Sequence, residues 1–249
     1  MADIKSTNII STTGRIRKLI DWHSHILPGM DDGSRDTKES ISLINLQVSQ
    51  GISTVIATPH FYANDETVES FLNRRERAYE RLRAEFPGKA SEIRLGAEVR
   101  YYPGISRLAE LKELRIEGSR LLLLEMPMSK WTEYMIRELV ELSGKSSIRI
   151  ILAHVERYLK LQKHVVWERI AESGILMQAN ASFFTSHASK RKAMALLREG
   201  NIHFVGSDCH NITSRPPKIG NAYEAIEKKF GSDYIRQMNE FGYSLLVKK

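Results

Sequence analysis

Residues 148–157 read IRIILAHVER, and this stretch contains both parts of the pattern that decides the fold. The first part, Ile148–Ala153, is an almost continuous apolar run, which is typical of a strand buried on both faces of a parallel sheet. The second part begins at His154 with polar residues, at the strand end where α/β folds place their sites. The stretch therefore predicts a buried strand whose carboxyl end bears functional side chains.

Apolar runs of the same kind recur along the chain, and each is followed by a segment with helical spacing of its apolar residues. Asp36 and Glu39 resemble a capping pair at the start of the first such segment. The predicted strands are Lys18–Trp22, Ser53–Thr58, Glu92–Val99, Leu121–Glu125, Ile148–Ala153, Ile175–Asn180 and Ile202–Ser207. The predicted helices are Asp36–Gln50, Val68–Glu85, Ile105–Leu114, Lys130–Ser143, Val165–Ser173, Ser189–Arg198 and Ala222–Phe230.

This alternation predicts the fold class. Seven β–α units of similar length, with no linker rich in Gly, Pro or Ser between them, favour one closed or nearly closed α/β barrel. A doubly wound open sheet is the alternative. A chain of 249 residues suits one such barrel. We expect a single domain over residues 19–249, preceded by a flexible N-terminal extension, residues 1–18, that is basic and rich in Ser and Thr.

The composition excludes several classes of protein. A single Cys cannot form an internal disulfide or a cysteine-rich zinc site, and it fits a reducing compartment. The apolar runs, such as Leu121–Leu124, are too short to cross a membrane, and the first residues lack the apolar core of a signal peptide. We therefore expect a cytoplasmic protein without membrane insertion.

The net charge of +7 allows nucleic acid, acidic lipid or an anionic substrate as a partner. The Lys and Arg residues are dispersed, however, as they are on an ordinary solvated surface. The sequence also lacks a basic stripe with interleaved aromatic residues. Nucleic acid is therefore the least supported of the three partners.

Six of the seven predicted strand ends carry His, Asp or Glu. In an extended segment His23 and His25 point to the same face, so both imidazoles can bind one ion. A His-x-His pair alone is explained equally well by surface or hydrogen-bonded histidines, but the whole set predicts a metal site. The set is His23, His25, Asp31, Asp32, His60, Glu98, Glu125, His154, Asp208 and His210. Such ligands suit zinc, manganese or iron, and spacing alone allows either Asp31 or Asp32 to be one of them.

Taken in order, these motifs resemble the polymerase and histidinol phosphatase (PHP) superfamily. They are His23-x-His25, Asp31-Asp32-Gly33, Thr58-Pro59-His60, Gly96-Ala97-Glu98, Glu125-Met126-Pro127, His154-x-x-Arg157 and Gly206-Ser207-Asp208-x-His210. Within the superfamily the sequence is most similar to the bacterial manganese-dependent protein tyrosine phosphatases of capsule and exopolysaccharide synthesis, the CpsB/YwqE type. The resemblance extends from about Leu19 to Arg215.

The resemblance implies a distorted (β/α)7, TIM-like barrel of the PHP fold that holds three divalent ions, Mn²⁺ first, with Fe or Zn as alternatives. The implied ligands are His23, His25, Glu98 and Asp208 for one ion, Glu98, Glu125 and His154 for a second, and Asp32, His60 and His210 for a third. Arg157 and Arg215 match the family's phosphate-binding arginines. Their planar guanidinium groups suit bidentate contact with phosphate.

The implied activity is that of a protein-tyrosine-phosphatase, in which a metal-activated hydroxide attacks phosphotyrosine. The implied substrate is the Tyr-rich tail of a membrane-associated polysaccharide tyrosine kinase, so the enzyme would regulate polysaccharide synthesis. Two alternatives stay open. One is a histidinol-phosphate phosphatase of the same superfamily, and the other is a non-catalytic regulator that binds a phosphorylated protein.

Cys209 and Arg215 also satisfy Cys-x5-Arg, the spacing of cysteine-dependent tyrosine phosphatases. The loop between them lacks the Gly residues that phosphate cradles use. In an extended strand end, Cys209 also points away from Asp208 and His210. We therefore interpret Cys209 as a buried cysteine without a catalytic role.

Two kinds of side chain have weaker signals near the strand ends. Asn180 could hydrogen-bond a residue of the site, but a purely structural role at the strand end explains it at least as well. The aromatic pairs Phe61-Tyr62 and Phe183-Phe184 could stack on an aromatic substrate ring, or they could simply pack in the core.

The remaining histidines, His164, His187 and His203, are predicted at the surface. The helix Ala222–Phe230 and the tail that follows it could pack on the barrel, which is the commoner arrangement, or contact a second copy in a homo-oligomer.

Overall fold

The structure is a computed structural model that describes residues 18–86 and 91–247. The predicted N-terminal extension therefore lies outside the described residues, apart from Lys18. Within the described ranges, no helix is both long enough and apolar enough to cross a membrane.

The described residues form nine short strands instead of the seven predicted, because the chain is interrupted twice: the short strand His60–Phe61 follows the second predicted strand, and the third predicted strand is divided in two. One interruption is at Pro59, which has no N–H to donate, and the other is at Gly96. The strands are β1 (Leu19–Ser24), β2 (Ile52–Ala57), β3 (His60–Phe61), β4 (Glu92–Leu95), β5 (Glu98–Arg100), β6 (Leu121–Glu125), β7 (Arg149–Leu152), β8 (Leu176–Asn180) and β9 (Phe204–Gly206). All neighbours pair in parallel, in the orders β1-β2-β4 and β3-β5-β6-β7-β8-β9.

The two sheets curl together into a distorted barrel. Its first and last strands meet at their carboxyl ends, where a bridge joins Ser24 and Cys209. The Asp208 amide donates to the His23 carbonyl oxygen at 2.8 Å, and the His25 amide donates to the Cys209 carbonyl oxygen at 2.9 Å. The predicted distorted α/β barrel is confirmed. The open-sheet alternative is wrong, because the edge strands of a doubly wound sheet do not meet.

Eight α-helices surround the strands. They are α1 (Thr37–Ser49), α2 (Val68–Glu85), α3 (Glu133–Ser143), α4 (His164–Glu172), α5 (Ala181–Thr185), α6 (Lys190–Arg198), α7 (Ile219–Phe230) and α8 (Ser232–Leu246). The predicted cap of α1 is confirmed, since the Asp36 side chain accepts a hydrogen bond from the Glu39 amide at 2.9 Å.

One predicted helix, Ile105–Leu114, is wrong in type. It consists of two 3₁₀ segments, Ile105–Arg107 and Ala109–Leu114. Leu108 between them is extended, with φ −70° and ψ 114°, and this conformation interrupts the helical hydrogen bonding. The spacing of the apolar residues fits an α-helix, but a local preference of this kind is weak and is readily overridden in a folded protein.

Two apolar layers position the strands. The larger layer lies between the strands and the helices and includes Leu43 and Ile150. The smaller layer contains side chains from six strands, among them Trp22 and Phe204, and so fills the inside of the barrel. The tail after α7 forms α8, whose Leu246 packs in this inner layer. It therefore packs on the barrel, as the commoner arrangement predicted.

Candidate metal centre

The candidate metal centre lies where the carboxyl ends of the strands converge. The structure brings together all nine residues that the sequence predicted as ligands. Within the described residues, their ligand atoms form three groups, each with all atoms within 4.8 Å of one another: His25, Asp32, His60 and His210; His23, His25 and Asp208; and His60, Glu98 and Glu125. The ninth residue, His154, has its Nε2 atom 2.8 Å from Glu98 Oε1 and 3.5 Å from Glu125 Oε1.

Glu98 is at the centre of the cluster and is almost completely buried. Its Oε2 atom is 3.0 Å from His23 Nε2, 3.3 Å from His25 Nε2 and 3.2 Å from His60 Nδ1. Burial alone would raise the pKa of Glu98, but the charge on His23 and hydrogen bonds from His154, His23 and His25 hold it well below its usual range. An ionised carboxylate with imidazoles on both oxygens is suited to bridge two cations.

Three imidazoles are oriented by a hydrogen bond at Nδ1. His23 Nδ1 is 3.2 Å from Gln178 Oε1, and His25 Nδ1 is 2.7 Å from a carboxylate oxygen of Asp31. His210 Nδ1 is 3.0 Å from the Asp208 carbonyl oxygen. Each of these contacts keeps a proton on Nδ1 and so directs Nε2 at the cluster, where it can bind a metal ion once its own proton has left.

Two buried ring nitrogens, His60 Nδ1 and His210 Nε2, have no hydrogen-bond partner. A buried polar atom without a partner is uncommon in native proteins and requires an explanation. Burial lowers the pKa of both rings, that of His210 to about 4, so both are neutral and their lone pairs are available. Metal cations at this position would satisfy both atoms, and the donor set therefore fits divalent ions.

Asp31 and Asp32, which spacing could not separate, have different environments. The Asp32 side chain is 66% exposed and its Oδ1 atom is 3.3 Å from His210 Nε2, within a candidate ligand group. Asp31 instead accepts hydrogen bonds from the His25 ring, the Gly33 amide at 2.9 Å and the His60 amide at 2.8 Å. Asp31 thus orients two histidines from outside the cluster.

Arg157 and Arg215 both reach the cluster through Asp208. Arg157 Nη2 donates to Asp208 Oδ2 at 2.5 Å, and Arg215 Nη2 donates to Oδ1 at 2.9 Å. Asn180 Nδ2 donates to the same Oδ2 atom at 2.8 Å, so of the two roles that the sequence left open for Asn180, contact with a site residue is the one observed. The arginine side chains are 35% and 39% exposed, and each retains donors for an incoming anion.

Two non-glycine residues in the described chain have positive φ, and both belong to the cluster. His154 has φ 35° and Asp208 has φ 51°. Each such conformation costs about 1–3 kcal/mol and is retained only where the surroundings enforce it. The strain therefore coincides with residues that the sequence predicted as ligands.

The geometry around Cys209 disfavours a thiolate nucleophile. Cys209 is fully buried, and burial together with the nearby Asp21 raises the pKa of its thiol. The amides of Thr213, Ser214 and Arg215 donate to the side-chain oxygen of Asn211, so they do not form an open phosphate cradle. The interpretation of Cys209 as a buried cysteine agrees with this environment.

Of the predicted aromatic residues, only Tyr62 reaches the mouth of the site. Its ring stacks on that of His60, with centroids 5.2 Å apart, and it lines a cavity of about 440 Å³ beside Asp32. Phe61 and Phe184 are fully buried, and Phe183 is nearly so. Core packing is therefore the role of these three residues.

His203 is not at the surface, although His164 and His187 are exposed as predicted. Its ring is half-buried against Phe204 and Phe241, and its Nδ1 atom accepts a hydrogen bond from the Met177 amide at 3.1 Å. Burial lowers its pKa to about 4. The prediction of a surface position for His203 is wrong, because the sequence pattern did not indicate that helix α8 covers the start of this strand.

Sequence reasoning missed Gln178, which lies in β8 below the cluster. Its Oε1 atom contacts His23 Nδ1 and accepts from the His154 amide at 2.8 Å, while its Nε2 atom donates to Asn180. One amide thus orients residues from three strand ends. The only signal was a polar residue within an otherwise apolar strand, which is too common to identify a site.

Comparisons with known proteins agree with this geometry. The family described as "Capsular polysaccharide synthesis, CpsB/CapC" matches residues 19–241. The tyrosine-protein phosphatase YwqE of Bacillus subtilis is 32% identical over 243 residues, which cover 92% of this chain and 91% of that protein. A solved structure of the metal-dependent tyrosine phosphatases YwqE from Bacillus subtilis and CpsB from Streptococcus pneumoniae has a TM-score of 0.78 and 27% identity, covering 92% of this chain and 94% of that one.

A more distant solved structure shares the fold alone. It is histidinol phosphate phosphatase from Lactococcus lactis in complex with zinc, histidinol and phosphate, with a TM-score of 0.51 and 13% identity. The match covers 89% of this chain and 94% of that one.

Proposed function

The chain belongs to the CpsB/CapC family of capsular polysaccharide synthesis, and on that premise we propose that it is a metal-dependent phosphatase that hydrolyses phosphotyrosine in a protein substrate. The observation that carries the proposal is the set of nine His, Asp and Glu side chains that converge at the strand ends, with two buried imidazole nitrogens among them that have no partner. The names of the relatives, which are tyrosine-protein phosphatases, suggest the substrate class, and the geometry suggests the chemistry.

We propose that the nine residues hold three divalent ions, Mn²⁺ first, with Fe or Zn as alternatives. Their ligands would be His23, His25, Asp32, His60, Glu98, Glu125, His154, Asp208 and His210. When bound, the ions would lower the pKa of a water molecule to about 7 and so supply the hydroxide nucleophile at neutral pH. No covalent enzyme intermediate is required.

The two arginines would bind the phosphate oxygens. In the structure each donates to one oxygen of Asp208, so their guanidinium groups already face the position where the anion must arrive. Planar guanidinium groups match the spacing of phosphate oxygens and would stabilise charge on them during in-line displacement. Arg157 and Arg215 are therefore the proposed catalytic residues of the chain itself.

The leaving group and the cavity both suit phosphotyrosine. A phenol with pKa near 10 leaves more readily than an alkoxide, so a weak general acid or none suffices. The cavity beside Asp32 is lined by Met30 and Tyr62, which offer an apolar wall to an aromatic ring. This wall would favour an aryl phosphate over the alkyl phosphate of histidinol.

The experiment compares two substrates under the same conditions. The full chain should hydrolyse a phosphotyrosine peptide in the presence of manganese, lose that activity to a chelator and tolerate thiol-alkylating agents. Faster turnover of histidinol phosphate would favour the superfamily alternative. A purified protein that binds the peptide but hydrolyses neither substrate, with manganese or zinc added, would favour the non-catalytic regulator.

For the partner, we propose the Tyr-rich tail of a membrane-associated polysaccharide tyrosine kinase, supported by the role of the family in capsule synthesis. We propose a cytoplasmic location, supported by the single, buried, free Cys209. Cell fractionation, and dephosphorylation of the kinase of the same organism, would test both points.

A further inference from the structure

The mouth of the barrel, meaning the loops after the strands and the first turns of the helices that follow, carries opposite charges on its two sides. On the side of β1 and β3 it contains acidic residues in addition to the candidate ligands, among them Asp36, Asp65 and Glu69. On the side of β7, β8 and β9 it contains six exposed bases, which we call the basic rim: Lys160, Lys163, Lys190, Arg191, Lys192 and Lys218. Residues 181–193 and 209–222 contain no acidic residue.

None of the six bases of the basic rim forms an ion pair within the described parts of the chain. The ion pairs near them involve other residues: His164 with Glu168, and Arg157 and Arg215 with Asp208. Exposed cations without ion pairs create a positive potential on that side of the mouth. This potential attracts anions toward that side of the opening.

Helix stability does not explain this placement. None of the helices α4, α6 and α7 has an acidic residue in its first turn or a side-chain hydrogen bond at its N-cap. The first turn of α6 begins Lys190-Arg191-Lys192, and a base at a helix N-terminus is unfavourable because the helix dipole is positive there. Since these bases weaken the helix that bears them, a role in binding is the better explanation.

The basic rim borders the proposed phosphate-binding residues. β7, β8 and β9 are neighbours in the sheet, so the segments that follow them are adjacent around the mouth. Arg157 and Arg215 belong to the first and last of these segments. An extended peptide whose phosphate contacts these two arginines is therefore within reach of the basic rim on that side.

We propose that the basic rim binds acidic groups, carboxylate or phosphate, on the polypeptide that flanks the phosphotyrosine. The inference rests on the proposed function, because it needs the reacting phosphate to be at the metal centre. A peptide fits better than an anionic membrane. The bases surround the opening through which the substrate must pass, and a membrane surface bound to them would cover it.

The test is a matched pair of double variants in the full chain. Lys190→Gln/Lys192→Gln removes two charges from the basic rim, and Lys228→Gln/Lys229→Gln removes two from the last turn of α7, at the far end of that helix from the mouth. Four substrates are compared with manganese present: a small aryl phosphate, a neutral phosphotyrosine peptide, one with flanking Asp and Glu, and one with a second phosphotyrosine.

The rim variant should lower kcat/KM for the acidic peptides about tenfold, through KM, and the loss should disappear in high salt. Its activity on the aryl phosphate and the neutral peptide should match that of the α7 variant. The acidic peptide whose kcat/KM falls further in the rim variant shows whether carboxylate or phosphate is the preferred group.

Equal kcat/KM of the two variants on all peptides would overturn the inference while leaving the proposed function intact. Loss of binding only to vesicles of anionic phospholipid would also overturn it, in favour of a membrane partner. By contrast, a wild-type protein that hydrolyses none of the four substrates would contradict the proposed function itself.

Discussion

The two sides of the barrel mouth follow opposite rules for starting a helix. On the acidic side, α1 and α2 begin with side-chain caps from Asp36 and Thr67 and carry Glu39 and Glu69 in their first turns. On the basic side, α4, α6 and α7 have neither caps of this kind nor acidic residues there. A cap contributes about 1 kcal/mol and an acid near the N-terminus about 0.3–1 kcal/mol. The helices on the acidic side thus have the more stable N-termini. The helices on the basic side lack these stabilising features, as is common where a surface serves a function.

The metal centre joins the two sides. Asp31 and Asp32 come from the acidic side, whereas Asp208 is bound by the arginines of the basic side. The acidic side thus supplies carboxylates to the metal centre, whereas the basic side supplies bases that attract anions in addition to the proposed ligands His154, Asp208 and His210. Asp208 takes part in both functions, because it is a proposed ligand and also the acceptor for both arginines.

Asp208→Ala should reduce kcat/KM for a phosphotyrosine peptide about a thousandfold or more, because it removes a proposed ligand and the carboxylate that holds Arg157 and Arg215. Steady-state kinetics with saturating manganese measures this effect. The adjacent Cys209→Ser is the control and should retain most activity, since that thiol is buried. The reverse outcome would refute the metal mechanism.

Asp31→Asn should weaken manganese binding about 10–100-fold, because the carboxylate orients the His25 ring and increases its basicity. Titration of the metal-free protein with manganese, followed by calorimetry, gives the affinity. Asp65→Asn is the matched control, as it removes an exposed charge from the same side of the mouth. Equal affinities of the two variants would show that the acidic side acts only through its overall charge.

Glu138→Gln should lower the free energy of unfolding by about 1–3 kcal/mol at pH 7 and leave kcat unchanged. The buried carboxylate accepts hydrogen bonds from Tyr101 at 2.6 Å and from the Gly104 amide at 3.0 Å, and so fixes the loop after β5. Burial alone would raise the pKa of Glu138, but these bonds lower it. Glu138 thus stabilises the fold and does not take part in the metal centre, so it separates structural carboxylates from carboxylates that hold or orient metal ligands.

The pH dependence of this effect has a definite sign. Because the folded-state pKa of Glu138 is below its unfolded value near 4.3, its contribution is complete above that value and is lost as the pH falls through the folded-state pKa. Urea unfolding from pH 7 to pH 3 should therefore show the wild type and Glu138→Gln converging in acid. A difference that stays constant over this range would mean that the charge of Glu138 contributes nothing.

Lys190→Glu should raise the free energy of unfolding by about 0.5 kcal/mol, because it replaces a base with an acid in the first turn of α6. Lys228→Glu, in the last turn of α7, should lower it by a similar amount, since the helix dipole has the opposite sign there. Urea denaturation at low salt measures both. Changes of the same sign would remove the argument that the basic side gives up helix stability.

The sequence predicted most of the fold because its signals are local. The run Leu121–Glu125 forms a strand with the predicted bounds, and Val68–Glu85 forms a helix with the predicted bounds. The helix predicted over Ile105–Leu114 is wrong, because Leu108 is extended and divides the segment, and the spacing of apolar residues gives no sign of this. The end of the chain was not predicted as a helix, and the position of His203 was therefore misjudged.

The kinds of ligand and their order could be predicted from the sequence, because the carboxyl ends of the strands of a parallel barrel meet on one face. The side chains that orient these ligands depend on the tertiary structure. Asp32 meets His210, and Gln178 meets His23 and His154, through contacts between segments that are far apart in the sequence, and these contacts separate the role of Asp32 from that of Asp31. The division of the mouth into two charged sides is also tertiary, because bases that lie far apart in the sequence come to one side of the mouth only when folding places β7, β8 and β9 side by side.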